Sequence, residues 1–276
     1  MKNLICRCIV SLGLLRSKLD NRDLVETIQN LVQLTSMQMV LCTGVVFVAG
    51  MVRGFSGFAL SALIMASVAL ILPPIELIPI CYILEATASL IMFRGGIRDA
   101  NMKIVWGMSI GSAIGFPMGL YATKTLPVET SKFIALCIIL CLATAQLLRV
   151  SPKFLARTSG LYASGLTAGI VTGLAHVGGM VVALYVLARE APARTMRASL
   201  VMFLFIGMFT SLVYLLGFGV MNKLAFIRGL LLAPVVVAGV LIGSAMFRPS
   251  LEAAYKKFCL GLLIFLAFTG LLRLAL

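Results

Sequence analysis

The sequence predicts an all-α, polytopic integral membrane protein of about 8–10 transmembrane helices, and three observations carry that prediction. First, 61% of the 276 residues are apolar and 12% are charged, about half the charged share of a soluble domain. Second, the apolar residues fall in long runs, most of them near the roughly 20 residues that span a bilayer as a helix. Third, the 23 Lys and Arg outnumber the 9 Asp and Glu, and they gather in short clusters between runs, the pattern that orients a polytopic chain. A soluble domain, a disordered chain and a nucleic-acid module are excluded, because too few polar side chains exist to make a wettable surface. Helices are forced: in lipid every backbone N–H and C=O must be bonded within its own segment or a closed barrel, and these runs are about twice a barrel strand's length.

The elements follow in order. Residues 1–35 read as an amphipathic or partly ordered tail, with Leu24, Ile28, Leu31 and Val32 at helical spacing. Arg7 interrupts its apolar stretch and no small-residue cleavage site follows, so a cleaved signal peptide is not expected. Apolar runs then cover 36–72, interrupted at Arg53 and Gly54; 75–93; 104–122; 131–149; 158–188, interrupted around His176; 196–218; 224–247; and 254–274. Pro73-Pro74, Arg94-Gly95-Gly96, Ser151-Pro152 and Arg248-Pro249 read as separators. The seven cysteines form no CxxC pair and imply neither a disulfide framework nor a metal site.

The runs divide into two sets, 36–156 and 157–276, which predict two transmembrane repeats. Each set opens with a long run interrupted by glycine, Gly50-Met51-Val52-Arg53-Gly54 and Gly169-Ile170-Val171-Thr172-Gly173. Each also has a third run with the same four letters, Ile110-Gly111-Ser112-Ala113 and Ile242-Gly243-Ser244-Ala245. The opening runs are too long for one straight helix and short for two, so a broken helix or a short hairpin is expected in each. If each opening run crosses once, the basic residues orient nothing. If each crosses twice, the loops near 94–103, 149–157, 189–197 and 248–257 concentrate Lys and Arg on one face and the halves are inverted, with the basic tail on the opposite side. Gly111, Gly115 and Gly119, with Gly239 and Gly243, are spaced to let the third runs pack closely on neighbours.

The stretches Val52-Arg53-Gly54-Phe55-Ser56-Gly57-Phe58-Ala59-Leu60 and Gly165 to Gly179, followed by Ala183-Leu184-Tyr185 and Met196-Arg197-Ala198-Ser199, resemble the TauE/SafE sulfite-exporter family of permeases over residues 38–274. The resemblance implies a multi-pass permease of the bacterial inner membrane that moves small sulfur-containing or organic anions outward. Met180 and Val181 stand where that family often has proline, and His176 where it has a small residue. Physics suits the implication: the free N–H groups of a broken helix carry about half a positive charge, so two such ends near the midplane attract an anion without a permanent cation. On this reading Arg53, Gly54, Ser56 and Gly57 line one side of a substrate site, and Gly173, His176, Gly178 and Gly179 the other.

Three ionisable residues carry further expectations, because a charge at mid-bilayer costs roughly 2.5–3.5 kcal/mol even on insertion scales. Glu85 either carries a coupling proton or locks two helices through a hydrogen bond. His176, the one histidine, either couples protons and binds the anion or is a neutral imidazole bonded across a helix contact. Arg53 binds the anion, pairs with Glu85 or snorkels to the headgroups. Arg194 and Arg197 read as orienting charges. An enzyme is not expected: there is no HExxH, GxSxG, P-loop or Cys/His cluster. The sequence therefore predicts a secondary transporter for sulfite, a sulfonate or an organic carboxylate, coupled to the proton gradient; the alternative is a passive anion channel or a structural membrane subunit. Expected partners are the lipid bilayer, a small anion, protons and a second copy of the chain, with no nucleic acid, cofactor or metal.

Overall fold

A computed structural model describes residues 33, 35–149, 158–189, 192–246 and 252–275. The expected amphipathic tail lies almost wholly outside these, as do Ser151-Pro152 and Arg248-Pro249. Among the described residues all regular structure is α-helix: α1 Ser36–Ser56, α2 Leu60–Val68, α3 Pro74–Asp99, α4 Met102–Thr125, α5 Val128–Leu147, α6 Thr158–Ala175, α7 Gly178–Ala188, α8 Ala193–Gly217, α9 Lys223–Ala245 and α10 Glu252–Ala275. Seven are long and apolar enough to cross a membrane; α6 and α7 are shorter apolar helices, and α2 has 9 residues. The chain is a multi-pass membrane protein.

The chain divides into two units, residues 1–41 and 42–276. In the first, α1 opens with a reciprocal cap: Thr35 N–H donates to Gln38 Oε1 at 3.1 Å and Gln38 N–H to Thr35 Oγ1 at 3.4 Å, so two otherwise orphaned donors are satisfied. The second holds the rest of α1 and every helix after it. There α4 and α9 start on asparagine caps, Asn101 accepting from Ile104 N–H at 3.3 Å and Asn222 from Ala225 N–H at 2.7 Å. Proline precedes α3, α5 and α8, at Pro73, Pro127 and Pro192, where a preset φ favours the first turn and no amide is wasted.

Two boundaries differ from the sequence expectation. Arg94-Gly95-Gly96 is no separator: α3 runs through it to Asp99. Its glycine serves packing, since Gly96 lies against Val201, Met202 and the Ala198 carbonyl of α8. The first opening run breaks at Gly57–Ala59 rather than at Arg53 and Gly54, which are both helical in the last turns of α1.

Two seams of glycine hold helices at backbone contact. Gly111, Gly115 and Gly119 of α4 meet Tyr162, Leu166 and Ile170 of α6, and Gly165, Gly169 and Gly173 of α6 meet Met108, Ser112 and Phe116 of α4. In the same way Gly50 and Gly54 of α1 meet Val236 and Val240 of α9, while Gly239 and Gly243 meet Phe47 and Met51. An added Cβ at most of these positions would overlap a carbonyl or amide of the facing helix, so only glycine permits the approach. The matched tetrapeptides do not occupy equivalent places in these seams. Gly243 faces Met51, whose counterpart in the second opening run is Ile170, and Ile170 is faced by Gly119 rather than Gly111. Elsewhere α3 packs on α8 and α9, α8 on α4, α5 on α10 and α7, and α10 on α2; Phe93 stacks on Phe205 at 5.1 Å across α3 and α8.

Candidate functional site

Both opening runs are broken, and the two breaks close alike. At the first, Gly57 (φ 82°) and Ala59 (φ 74°) are left-handed; at the second, His176 is (φ 56°). Gly57 N–H donates to the Arg53 carbonyl at 2.9 Å and His176 N–H to the Thr172 carbonyl at 2.8 Å. A left-handed residue just past the last turn is a common helix stop. Glycine takes it freely, whereas a side chain there costs roughly 1–2 kcal/mol.

The breaks differ in charge. Arg53, 0% exposed, donates from Nε to Glu85 Oε2 at 2.9 Å, from Nη2 to Ser89 Oγ at 3.1 Å and from Nη1 to the Gly57 carbonyl. Glu85 Oε1 accepts from Ser61 Oγ at 3.0 Å and from Ser61 N–H at 3.4 Å. The guanidinium therefore sits on the carbonyl end of α1 and the carboxylate on the amide end of α2, each on the helix pole of opposite sign. Glu85 lies about 16 Å along α3, whose 26 residues make a rod of roughly 39 Å, so this break is level with the middle of that helix. Ser56 Oγ ties the break further, donating to Val52 O and Phe58 O at 2.7 and 2.8 Å.

No ion pair is found at the second break among the described residues. Thr172 Oγ1 donates to Ala168 O at 2.6 Å, Thr123 Oγ1 to Gly173 O at 2.9 Å and Gln146 Nε2 to Met180 O at 3.1 Å. No side chain caps the N-terminus of α7. His176 is 9% exposed, and its Nδ1 finds no hydrogen-bond partner among the described residues. Between the breaks lies a cavity of about 10 Å³, room for one water, lined by Ala59, Ser61, Ala62 and Glu85 from the first opening run and α3, and by His176, Val177, Gly179, Met180 and Leu204 from α6 to α8.

Of the residues singled out from sequence, Glu85, His176 and Gly179 line this cavity, and Arg53 is held behind Glu85. Ser56 and Gly57 shape the first break. Gly54 and Gly173 face the glycine seams, and Gly178 abuts Thr172 Oγ1 and Ala168 O, so their small size is used for packing. Sequence reasoning passed over Ser61 and Ser89, which complete the network. Arg197 donates from Nε to Phe55 O at 3.1 Å and from Nη2 to Gly54 O at 2.5 Å. Arg197 thus caps α1 from α8, more than the orienting charge it was expected to be. Arg197 lay within the motif that carried the family resemblance, the only signal that could have marked it.

Residues 42–269 match the family described as Sulfite exporter TauE/SafE. No curated protein and no solved structure matches the chain.

Proposed function

Because the chain belongs to the TauE/SafE sulfite exporter family, we propose that it is a secondary transporter of the bacterial inner membrane that exports a small anion, such as sulfite, a sulfonate or an organic carboxylate, coupled to the proton gradient. The observation that carries this reading is the pair of helix breaks whose amide ends, α2 and α7, open onto one small polar cavity. The uncapped amide end of α7, the unpartnered His176 Nδ1 and the buried Arg53 supply hydrogen-bond donors and positive charge where an anion has lost its water. Glu85 and His176 are the groups that would carry the coupling proton.

The same reading makes residues 36–156 and 157–276 inverted halves that rock about the cavity. The reciprocal seams support it: the opening helix of each half packs on the fourth helix of the other. An odd number of helices in each half, α1–α5 and α6–α10, also agrees with inversion. A homodimer belongs to the proposal too, to be checked by light scattering in detergent.

The test is flux. Purified protein in liposomes is expected to take up sulfite saturably, and faster with an imposed pH gradient. Flux that rises linearly with concentration would indicate a passive channel instead. A pH response left intact in both His176→Ala and Glu85→Gln would remove the proton-coupling part.

A further inference from the structure

The two breaks share a left-handed stop, at Gly57 and at His176, and differ in side chains at corresponding places. Thr172 lies 119 positions after Arg53, Met180 119 after Ser61, Leu204 119 after Glu85 and Met208 119 after Ser89. Helix α8 begins at the same offset from α3. The four residues of the buried polar network thus have uncharged counterparts, three of them apolar. Ser61 and Glu85 form one wall of the cavity, and their counterparts Met180 and Leu204 stand in the other.

From this asymmetry we propose that Glu85 is a resident anion, filling the first-half cradle that a cargo anion would otherwise occupy, and that cargo enters by displacing it from Arg53 and the amide end of α2. The inference rests on the transport reading above and specifies how the site is controlled. Three observations carry it. The carboxylate takes the Ser61 N–H and hydroxyl together with the Arg53 Nε–H, donors that would suit an oxyanion. The cavity beside it has room for one water, too little for an oxyanion of four or more heavy atoms, so a lining side chain must yield. The α7 end, with His176, keeps its donors uncapped and open to the same cavity.

Charge fixes the coupling. Two anions cannot share one guanidinium at low cost, so cargo binds when Glu85 takes a proton from the aqueous side as the guanidinium passes to the cargo. When cargo leaves, the proton leaves Glu85 and the pair re-forms, so one proton crosses with each anion. A dianion with one proton still carries one negative charge, which an inside-negative potential drives outward. The titratable and charged groups facing Glu85 are Arg53 from α1, Cys81 from its own helix and His176 from the second break. α2 adds the Ser61 hydroxyl and α8 the apolar Leu204. Of the other arginines near α3, Arg194 of α8 pairs with Asp99 and Arg228 of α9 with Glu76, while Arg197 of α8 donates to the carbonyls of Gly54 and Phe55.

The test is binding of methanesulfonate, whose charge is constant between pH 5 and 8, to the full-length protein in lipid nanodiscs by calorimetry, with sulfite as a second probe. In the wild type, binding should tighten by up to about tenfold per pH unit on acidification, the limit for one linked proton. Glu85→Gln should bind tightly with no such slope. The paired variant Arg53→Gln/Glu85→Gln, which leaves no lone buried charge, should bind weakly and without slope. The inference is overturned if Glu85→Gln keeps the wild-type slope or binds more weakly than wild type at pH 8, or if the paired variant binds as tightly as Glu85→Gln. If the wild type binds neither probe at any pH, the transport reading falls and this inference with it.

Discussion

A fully buried guanidinium is stable only with its partner. Removing Glu85 alone or Arg53 alone strands a charge, and each of Arg53→Thr and Glu85→Leu is expected to cost about 3–5 kcal/mol. The double variant installs the residues found 119 positions later, Thr172 and Leu204, and should recover most of that loss while abolishing transport. Thermal unfolding in detergent checks this; a double variant as unstable as the worse single would mean the network holds the break by more than charge balance. At the same scale, Gly57 with φ 82° should tolerate alanine poorly, losing roughly 1–2 kcal/mol. The sequence offered Arg53 and Glu85 as partners but left two other roles open for Arg53, because a spacing of 32 residues says nothing of distance. Ser61 and Ser89 could not be read at all: serine is common in membrane helices, and only the fold brings these two to the charges.

At the scale of elements, the glycine seams make a contrast that can be measured. Gly115→Val and Gly243→Val each drive a side chain into the facing backbone and should abolish folding or monodispersity. Gly207→Ala and Gly261→Ala, which meet nothing within 4 Å, should be neutral or gain up to about 1 kcal/mol from helix propensity. Equal behaviour of the two sets in size-exclusion yield and melting would mean that the helices do not pack as described. The small-xxx-small spacing made these glycines legible as packing residues, yet the partner helix was not. The tetrapeptide match does not mark equivalent places in the seams, because glycine, serine and alanine recur wherever helices approach closely and short identities arise without equivalence. Arg94-Gly95-Gly96 misled for a related reason: glycine after a charge looks like a turn, but here the missing side chain makes room for α8.

For the whole molecule, the apolar outer surface must meet lipid. Trp106, the single tryptophan, is 54% exposed in the first turns of α4, where an aromatic ring suits the bilayer interface. Its emission should be quenched by lipids brominated near the headgroup end of the chain, more than by those brominated near the terminal methyl. Strong quenching by aqueous acrylamide with none by brominated lipid would contradict the placement of α4. Composition and run length alone determined that this is a helical membrane protein, because a backbone in hydrocarbon has no other way to satisfy its own polar groups at this span. They also determined that the opening runs break, since neither fits one crossing or two. Only the tertiary structure decided that both breaks line one cavity, that the first break and, among the described residues, not the second carries an ion pair, and that the Glu85 carboxylate meets Arg53 and Ser61 there. Those are matters of distance between residues far apart in sequence, and periodicity reports the face a residue lies on but never what that face meets.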